Sequence, residues 1–289
     1  MKDFQKELGK ELLASVSRSF FLSLRFLPPK MRESTSLAYL LARISDTIAD
    51  TEALPKEKRL IFLSEIGSAI QGSGSFPDLT EMPFGEGLTE GESVLLRKSN
   101  LCLEWLESID DINLSSIQKV MRSIIKGQSD DLRRFSSNHL KCLSSQEELE
   151  NYTYDVAGSV GVFWTEIGFN SYGNKFSDQE IETMTELGTN YGKALQLLNI
   201  LRDFPQDFDN GRCYFPGQFN GSTSHKVWEE VSEFWISRCR FLMGSAAKYI
   251  NLLRSPRVRF STGLPVMIGV QTLDLIEKSD WDSFRTGLK

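Results

Sequence analysis

Three features of the chain point to an all-α fold: apolar residues recur at i, i+3 and i+4 through most of it, strand-like alternation is nearly absent, and irregular composition is concentrated at 71–87. Helical periodicity marks segments near 4–24, 33–52, 56–70, 92–108, 113–136, 146–171, 176–206, 225–253 and 259–278.

In chain order, the first segment stops ahead of Pro28-Pro29, where the ring removes a backbone donor. The second contains the apolar run Leu37-Ala-Tyr-Leu-Leu-Ala42. After the third, Gln71 to Gly87 is rich in Gly, Pro and Ser and reads as a surface excursion, not a domain linker. The segment ending near 206 carries Ala194-Leu-Gln-Leu-Leu-Asn-Ile-Leu201, with Pro205 expected to break or kink it, and Pro216 and Pro256 mark further breaks.

With 289 residues, 40% hydrophobic and 25% charged, the chain is long enough to bury a sizeable core, and a single domain over 1–289 is expected. The net charge of −6 argues against a nucleic-acid surface and leaves small molecules or a membrane surface as partners. Cys102, Cys142, Cys213 and Cys239 have no CxxC spacing, and only His139 and His225 accompany them, so neither a zinc site nor a disulfide framework is indicated. A reducing cytoplasm suits that usage. The charged N-terminus lacks an apolar signal core, and Gly263–Ile276 is too short to span a bilayer. The expectation is a cytoplasmic protein, soluble or peripheral at the membrane.

Chemistry is concentrated in two pairs written Asp-x-x-x-Asp: Asp46 and Asp50 with Arg43, and Asp203 and Asp207 with Arg202. Four-residue spacing places both carboxylates of a pair on one helix face, where they repel unless a cation lies between them. Magnesium takes a few carboxylates and completes its shell with phosphate oxygens and water, so two such faces turned toward each other would clamp a diphosphate. A solvated acidic face is the plain alternative for one pair, but both pairs follow apolar runs, and buried unpaired carboxylates are costly.

Five ordered blocks carry a resemblance: Ser17-Arg-Ser-Phe20, Leu37 to Asp50, Tyr152-Thr-Tyr-Asp-Val-Ala-Gly-Ser-Val-Gly161, Gln196 to Asp207, and Gly211-Arg-Cys-Tyr-Phe-Pro216. Together they resemble the squalene/phytoene synthase family over nearly the whole chain, most like a bacterial squalene synthase. The resemblance implies an isoprenoid-synthase helical bundle around a large central cavity. It also implies head-to-head joining of two farnesyl diphosphates through presqualene diphosphate, with Mg2+ as cofactor and NADPH as reductant when squalene is the product.

Residue by residue, the resemblance makes Asp46, Asp50, Asp203 and Asp207 magnesium ligands and gives Tyr39 and Tyr152 places near the reacting carbons. Ser17, Ser19, Arg43, Arg202, Gln196 and Asn199 would meet diphosphate oxygens, the alternatives being helix caps for the serines and intrahelical ion pairs for the arginines. Phe20, Val156, Ala157, Gly158 and Gly161 would border the prenyl tail; close helix packing is the other explanation of the glycines, which are costly inside a helix. Arg254, Arg257 and Arg259 form a basic cluster suited to a cofactor phosphate, to anionic lipid, or simply to solvent.

Two departures bear on the second half-reaction: Ala49 and Asp155 stand where eukaryotic members carry glutamate and tyrosine. Phytoene or dehydrosqualene synthesis, arrest at presqualene diphosphate, and a catalytically silent scaffold are the competing readings.

Overall fold

The computed structural model describes residues 3–17, 20–80, 87–135, 139–219 and 221–287. Its elements are α1 (Asp3–Glu7), a π-helical turn (Leu8–Leu12), α2 (Leu13–Ser17), α3 (Phe20–Phe26), α4 (Pro29–Asp50), α5 (Lys56–Ile70), α6 (Glu90–Arg97) and α7 (Ser99–Leu106). There follow α8 (Asp111–Arg134), β1 (Lys141–Cys142), α9 (Gln146–Thr153), a second π-helical turn (Tyr154–Gly158), α10 (Ser159–Tyr172) and α11 (Ile181–Asp209). The chain closes with β2 (Arg212–Cys213), α12 (Ser224–Leu252), α13 (Pro256–Lys278) and α14 (Trp281–Thr286).

Local chemistry sets many of the helix starts. Pro29 and Pro256 occupy first helical positions, where a missing N–H costs nothing. Thr89 and Glu92 form a reciprocal capping box on α6, and Asp110 accepts from the Asn113 N–H at 3.0 Å to open α8. Apolar faces of α4, α5, α8, α11 and α12 then merge into one core that includes Leu40, Ile44, Ile66, Met121, Leu201 and Tyr249.

α11 packs against α10, α12 and α13. Its approach to α10 and the π turn before it is set by glycine: a Cβ on Gly161 would lie 1.8 Å from the Gly188 carbonyl oxygen, and one on Gly192 would lie 2.0 Å from that of Ala157 in the π turn. The backbones therefore touch where side chains would hold them apart.

Several sequence expectations are revised. α11 runs through Pro205 without ending, although the ring cannot donate to the Leu201 carbonyl. The periodic stretch near 146–171 contains the π turn, and the one near 92–108 is split at Lys98. Within the 71–87 excursion, Phe76 and Leu79 are buried, so those residues anchor it to the core. The basic cluster is partly committed: Arg259 donates to the Leu253 and Asn251 carbonyls, and Arg254 to the Asn174 carbonyl. β1 and β2 pair in parallel, a contact too short for periodicity to reveal.

Candidate active site

A cavity of about 690 Å³ lies among α3, α4, α8, α10 and α11. α3 and α10 give the cavity apolar side chains and α11 gives it polar ones, while α4 and α8 change character along their length. On α4, Thr35, Ala38 and Ala42 give way to Arg43, Asp46 and Asp50; on α8, Val120 and Ile124 give way to Gln128 and Asp131. From α9 onward the order reverses, with Tyr152 followed by Val156, Val160, Phe163 and Trp164. The polar ends converge, because Asp50, Asp131, Asp207 and Arg212 all feel one another's charge. At the apolar end Phe20 stacks on Tyr39 at 5.6 Å and lies 6.5 Å from Trp164. Such a chamber suits an amphiphile with a hydrocarbon tail and a polar head.

The polar end holds more acid than base. Removal from bulk water and repulsion by Asp50 push Asp46 up to about 7, against the pull of Arg43. That carboxyl is recessed, not sealed, with 45% of its side-chain surface accessible. Asp207 is also pushed up to about 7, mainly by burial and with repulsion from Asp203, Asp131 and Asp50, while Arg212 opposes the shift. Asp131 rises to about 6 through burial, despite the Tyr214 hydroxyl that donates to it at 3.2 Å. Asp50 is raised for the same first reason, with Arg212, Arg43 and Arg59 opposing.

Among the described residues no three Asp, Glu, His or Cys side chains form a ready-made ion cluster. The donors nevertheless fit magnesium, a hard cation that accepts one or two carboxylates and takes its remaining ligands from substrate and water. Asp131 Oδ1 and Gln128 Oε1 are buried in the cavity wall with no hydrogen-bond partner among the described residues, which marks unmet demand for donors or a cation.

These shifts give a prediction with a definite sign. A carboxyl whose folded pKa is raised stabilises the fold fully below its unfolded value near 4, and loses that contribution as pH climbs through about 7. Asp46→Asn should therefore raise the metal-free melting temperature at pH 8 and leave it nearly unchanged at pH 4. Thermal melts of both proteins across that range check this, and an equal effect at both pH values would refute the upward shift of Asp46.

Both arginines of the Asp motifs make local pairs. Arg43 Nη1 donates to Asp46 Oδ2 at 3.1 Å and Nη2 to the Tyr39 hydroxyl at 3.1 Å, which itself donates to the Val16 carbonyl. Arg202 grips Asp203 with two bonds of 2.8 and 2.6 Å. Gln196 and Asn199 line the cavity, 3.5 Å apart through Asn199 Nδ2 and Gln196 Oε1. Tyr152 stacks on Tyr214 at 4.9 Å, and burial raises its phenol far above the ordinary value.

Other expected residues sit differently. Ser17 is buried and donates to the Leu13 carbonyl, away from the cavity wall, and Ser19 lies outside the described residues. Phe20 and Val156 line the main cavity. Ala157 and Gly161 border a smaller apolar side pocket of about 140 Å³ while also meeting α11 closely, Ala157 from the π turn and Gly161 from α10. Gly158 faces Tyr154, Lys193 and Thr189, so its small size serves packing and not a prenyl groove.

Sequence reasoning passed over Asp131, Gln128, Arg212 and Tyr214. Arg212 and Tyr214 stood inside the Gly211–Pro216 block without assigned roles. For α8 there was a usable signal: Val120, Ile124, Gln128 and Asp131 follow helical spacing on one face that turns from apolar to polar.

The architecture defines an all-α protein with two acidic helix faces bordering an amphiphile-sized chamber. Residues 13–289 match the family model described as squalene/phytoene synthase, and the chain belongs to that family. It is 25% identical to the squalene synthase of Schizosaccharomyces pombe over 297 residues, covering 96% of this chain and 61% of that protein. It is also 25% identical to the phytoene synthase of Arthrospira platensis over 295 residues, covering 96% and 85% of the two chains. The chain thus spans about three fifths of the yeast relative's length.

Among solved structures, the complex of TcSQS with the ligand E5700 superposes with a TM-score of 0.77 at 21% identity, covering 100% of this chain and 83% of that one. Squalene synthase HpnC from Alicyclobacillus acidocaldarius gives 0.64 at 19% identity, covering 95% and 94%. The fold is that of the isoprenoid synthases.

Proposed function

We propose that this protein is a magnesium-dependent farnesyltransferase that joins two farnesyl diphosphates head to head through presqualene diphosphate and, with NADPH, yields squalene. The observation that carries the proposal is the chamber itself: Asp46, Asp50, Asp203 and Arg212 line its polar end, with Asp207 within reach of the charges of Asp50 and Arg212, and Phe20, Val160, Phe163 and Trp164 line its apolar end.

Magnesium bound by the four aspartates would neutralise the departing diphosphate and favour C–O cleavage. Arg212 adds a fixed positive charge at the same end, and Gln196 and Asn199 offer amide donors. Phe20, Tyr39 and Trp164 line the chamber, where their rings would shield an allylic cation from water. Tyr152, with its phenol held neutral, orients the diphosphate or passes a proton without becoming a competing anion.

Likeness to squalene synthases supports squalene as the product, and likeness to phytoene synthase supports a desaturated one. The deciding experiment incubates purified protein with farnesyl or geranylgeranyl diphosphate and Mg2+, with and without NADPH, and identifies the hydrocarbons by mass spectrometry. Squalene that forms only with NADPH is expected. Dehydrosqualene or phytoene would move the assignment within the family, and no product from either substrate would leave a scaffold. Tyr152→Phe should lower kcat by about tenfold or more with little change in KM. A rise in KM alone would make Tyr152 a packing residue.

Peripheral membrane contact is part of the same proposal. Phe26 and Phe260 meet edge to face at 4.9 Å on the surface, Met267 and Ile268 extend the apolar area along α13, and exposed Arg25 and Arg257 flank it. That combination suits an anionic bilayer. Among the described residues no helix is long and apolar enough to cross a membrane. Co-flotation with anionic vesicles, lost in Met267→Glu, is the expected result; equal recovery without vesicles would reject the contact.

A further inference from the structure

Cys142 and Cys213 stand opposite each other in the β1–β2 pairing. Adjacent strands lie about 4.7–4.9 Å apart, and disulfides bridge Cα atoms separated by about 4.4–6.8 Å. The backbone fixes this register from both sides, since the Lys141 N–H donates to the Gly211 carbonyl at 2.9 Å and the Leu143 N–H to the Cys213 carbonyl at 3.1 Å. Both residues are free thiols, near enough for the two side chains to hydrogen-bond. Cys142 is half-buried and Cys213 buried. Cys102 and Cys239 are buried on α7 and α12.

The position of the pair matters as much as its geometry. Arg212 and Tyr214, the immediate neighbours of Cys213, line the cavity. Side chains alternate along an extended strand, so Cys213 projects from the opposite side and meets Cys142 behind the chamber wall.

We propose that Cys142 and Cys213 are a redox-active dithiol, a modification site that low-molecular-weight disulfides close into a cystine directly behind the strand bearing Arg212 and Tyr214. The more accessible Cys142 attacks one sulfur of the small disulfide as thiolate, releasing the other sulfur as a thiolate and leaving a mixed disulfide. Cys213 then gives up its proton and attacks Cys142 Sγ, expelling the second small thiolate. Two protein thiols are oxidised, one small disulfide is reduced to two thiols, and the two protons pass to the leaving groups. Burial and the neighbouring Cys142 raise the Cys213 thiol above its ordinary value, which assigns it the second step. In a reducing compartment such a cystine is transient, as expected of a redox-responsive site.

The test treats the folded protein with oxidised glutathione, unfolds it in denaturant containing N-ethylmaleimide so that every remaining thiol is blocked, and maps peptides without reduction. The expected product is about 2 Da lighter before alkylation, for two hydrogens lost. It should contain a peptide linking Cys142 to Cys213, with Cys102 and Cys239 still alkylated, and dithiothreitol should reverse the change. Phenylarsine oxide, which bridges adjacent dithiols, should bind one per chain and protect the same two residues. Cys142→Ser should abolish both results, and since Cys142 is half-buried this variant avoids the folding risk of altering Cys213. A glutathione adduct on Cys142 that never resolves, or full alkylation of all four cysteines after oxidation, would overturn the assignment. None of these readouts uses prenyl diphosphate, so the site stands or falls independently of the proposed function.

Discussion

Asp203→Asn and Asp46→Asn should each lower turnover by about two to three orders of magnitude while the protein stays folded. Asparagine keeps the shape of aspartate and loses the charge that a magnesium–diphosphate ligand requires. Electrostatics at this site makes the structural cost small. At Asp46 the substitution removes a group already disfavoured by its surroundings and by Asp50. At Asp203 it removes the partner of Arg202 in a pair whose side chains are 46% and 44% accessible, and exposed pairs contribute about 0–1 kcal/mol. Single-turnover rates with farnesyl diphosphate, read beside circular dichroism and thermal melts, separate chemistry from folding. Near-normal rates in either variant would end the proposal that its helix face holds the metal. A loss of activity that tracked a collapse of the melt would mean that the carboxylate is structural.

What could be read from sequence divides along a physical line. Features within one helix were legible: the spacing of Asp46 and Asp50 predicts a shared face, and the apolar runs before both motifs predict that those faces turn inward. Features made by segments far apart in the chain were not. Asp131 on α8 and Arg212 on β2 meet the α4 carboxylates only after folding, and nothing in their spacing announces it. The π turn at Tyr154–Gly158 was equally hidden, since a change in hydrogen-bond register leaves apolar periodicity almost intact. It has consequences nonetheless: Asp155 accepts from Ser123 and pairs with Lys126, while Tyr152, one turn earlier, faces Tyr214. At Pro205 a sound local rule was overridden, because the helix continues with Phe204 and Pro205 packed into the core.

The second large effect is expected at Gly161, where helix propensity and packing predict opposite signs. Alanine is favoured over glycine within a helix by about 1 kcal/mol, so propensity alone makes Gly161→Ala stabilising. Packing reverses this, because the new Cβ would stand 1.8 Å from the Gly188 carbonyl oxygen and 2.3 Å from its carbon. Those are backbone atoms in α11 and cannot rotate aside as a flexible side chain does. The two helices must separate by roughly an ångström or more, and close-packed interiors resist such shifts. Overpacking of this kind costs about 1–3 kcal/mol and sometimes more, so a net destabilisation of about 2 kcal/mol is expected in denaturant titrations. Because α11 also carries Gln196, Asn199, Asp203 and Asp207, its displacement should reduce activity in the surviving folded fraction, about a hundredfold for a shift near 1 Å. Gly244→Ala supplies the control: that glycine is inside α12 with no described residue within 4 Å of its added Cβ, so propensity acts unopposed. It should stabilise by up to about 1 kcal/mol and leave turnover unchanged. If Gly161→Ala matched Gly244→Ala in sign, the close α10–α11 crossing would not be what positions the second acidic face.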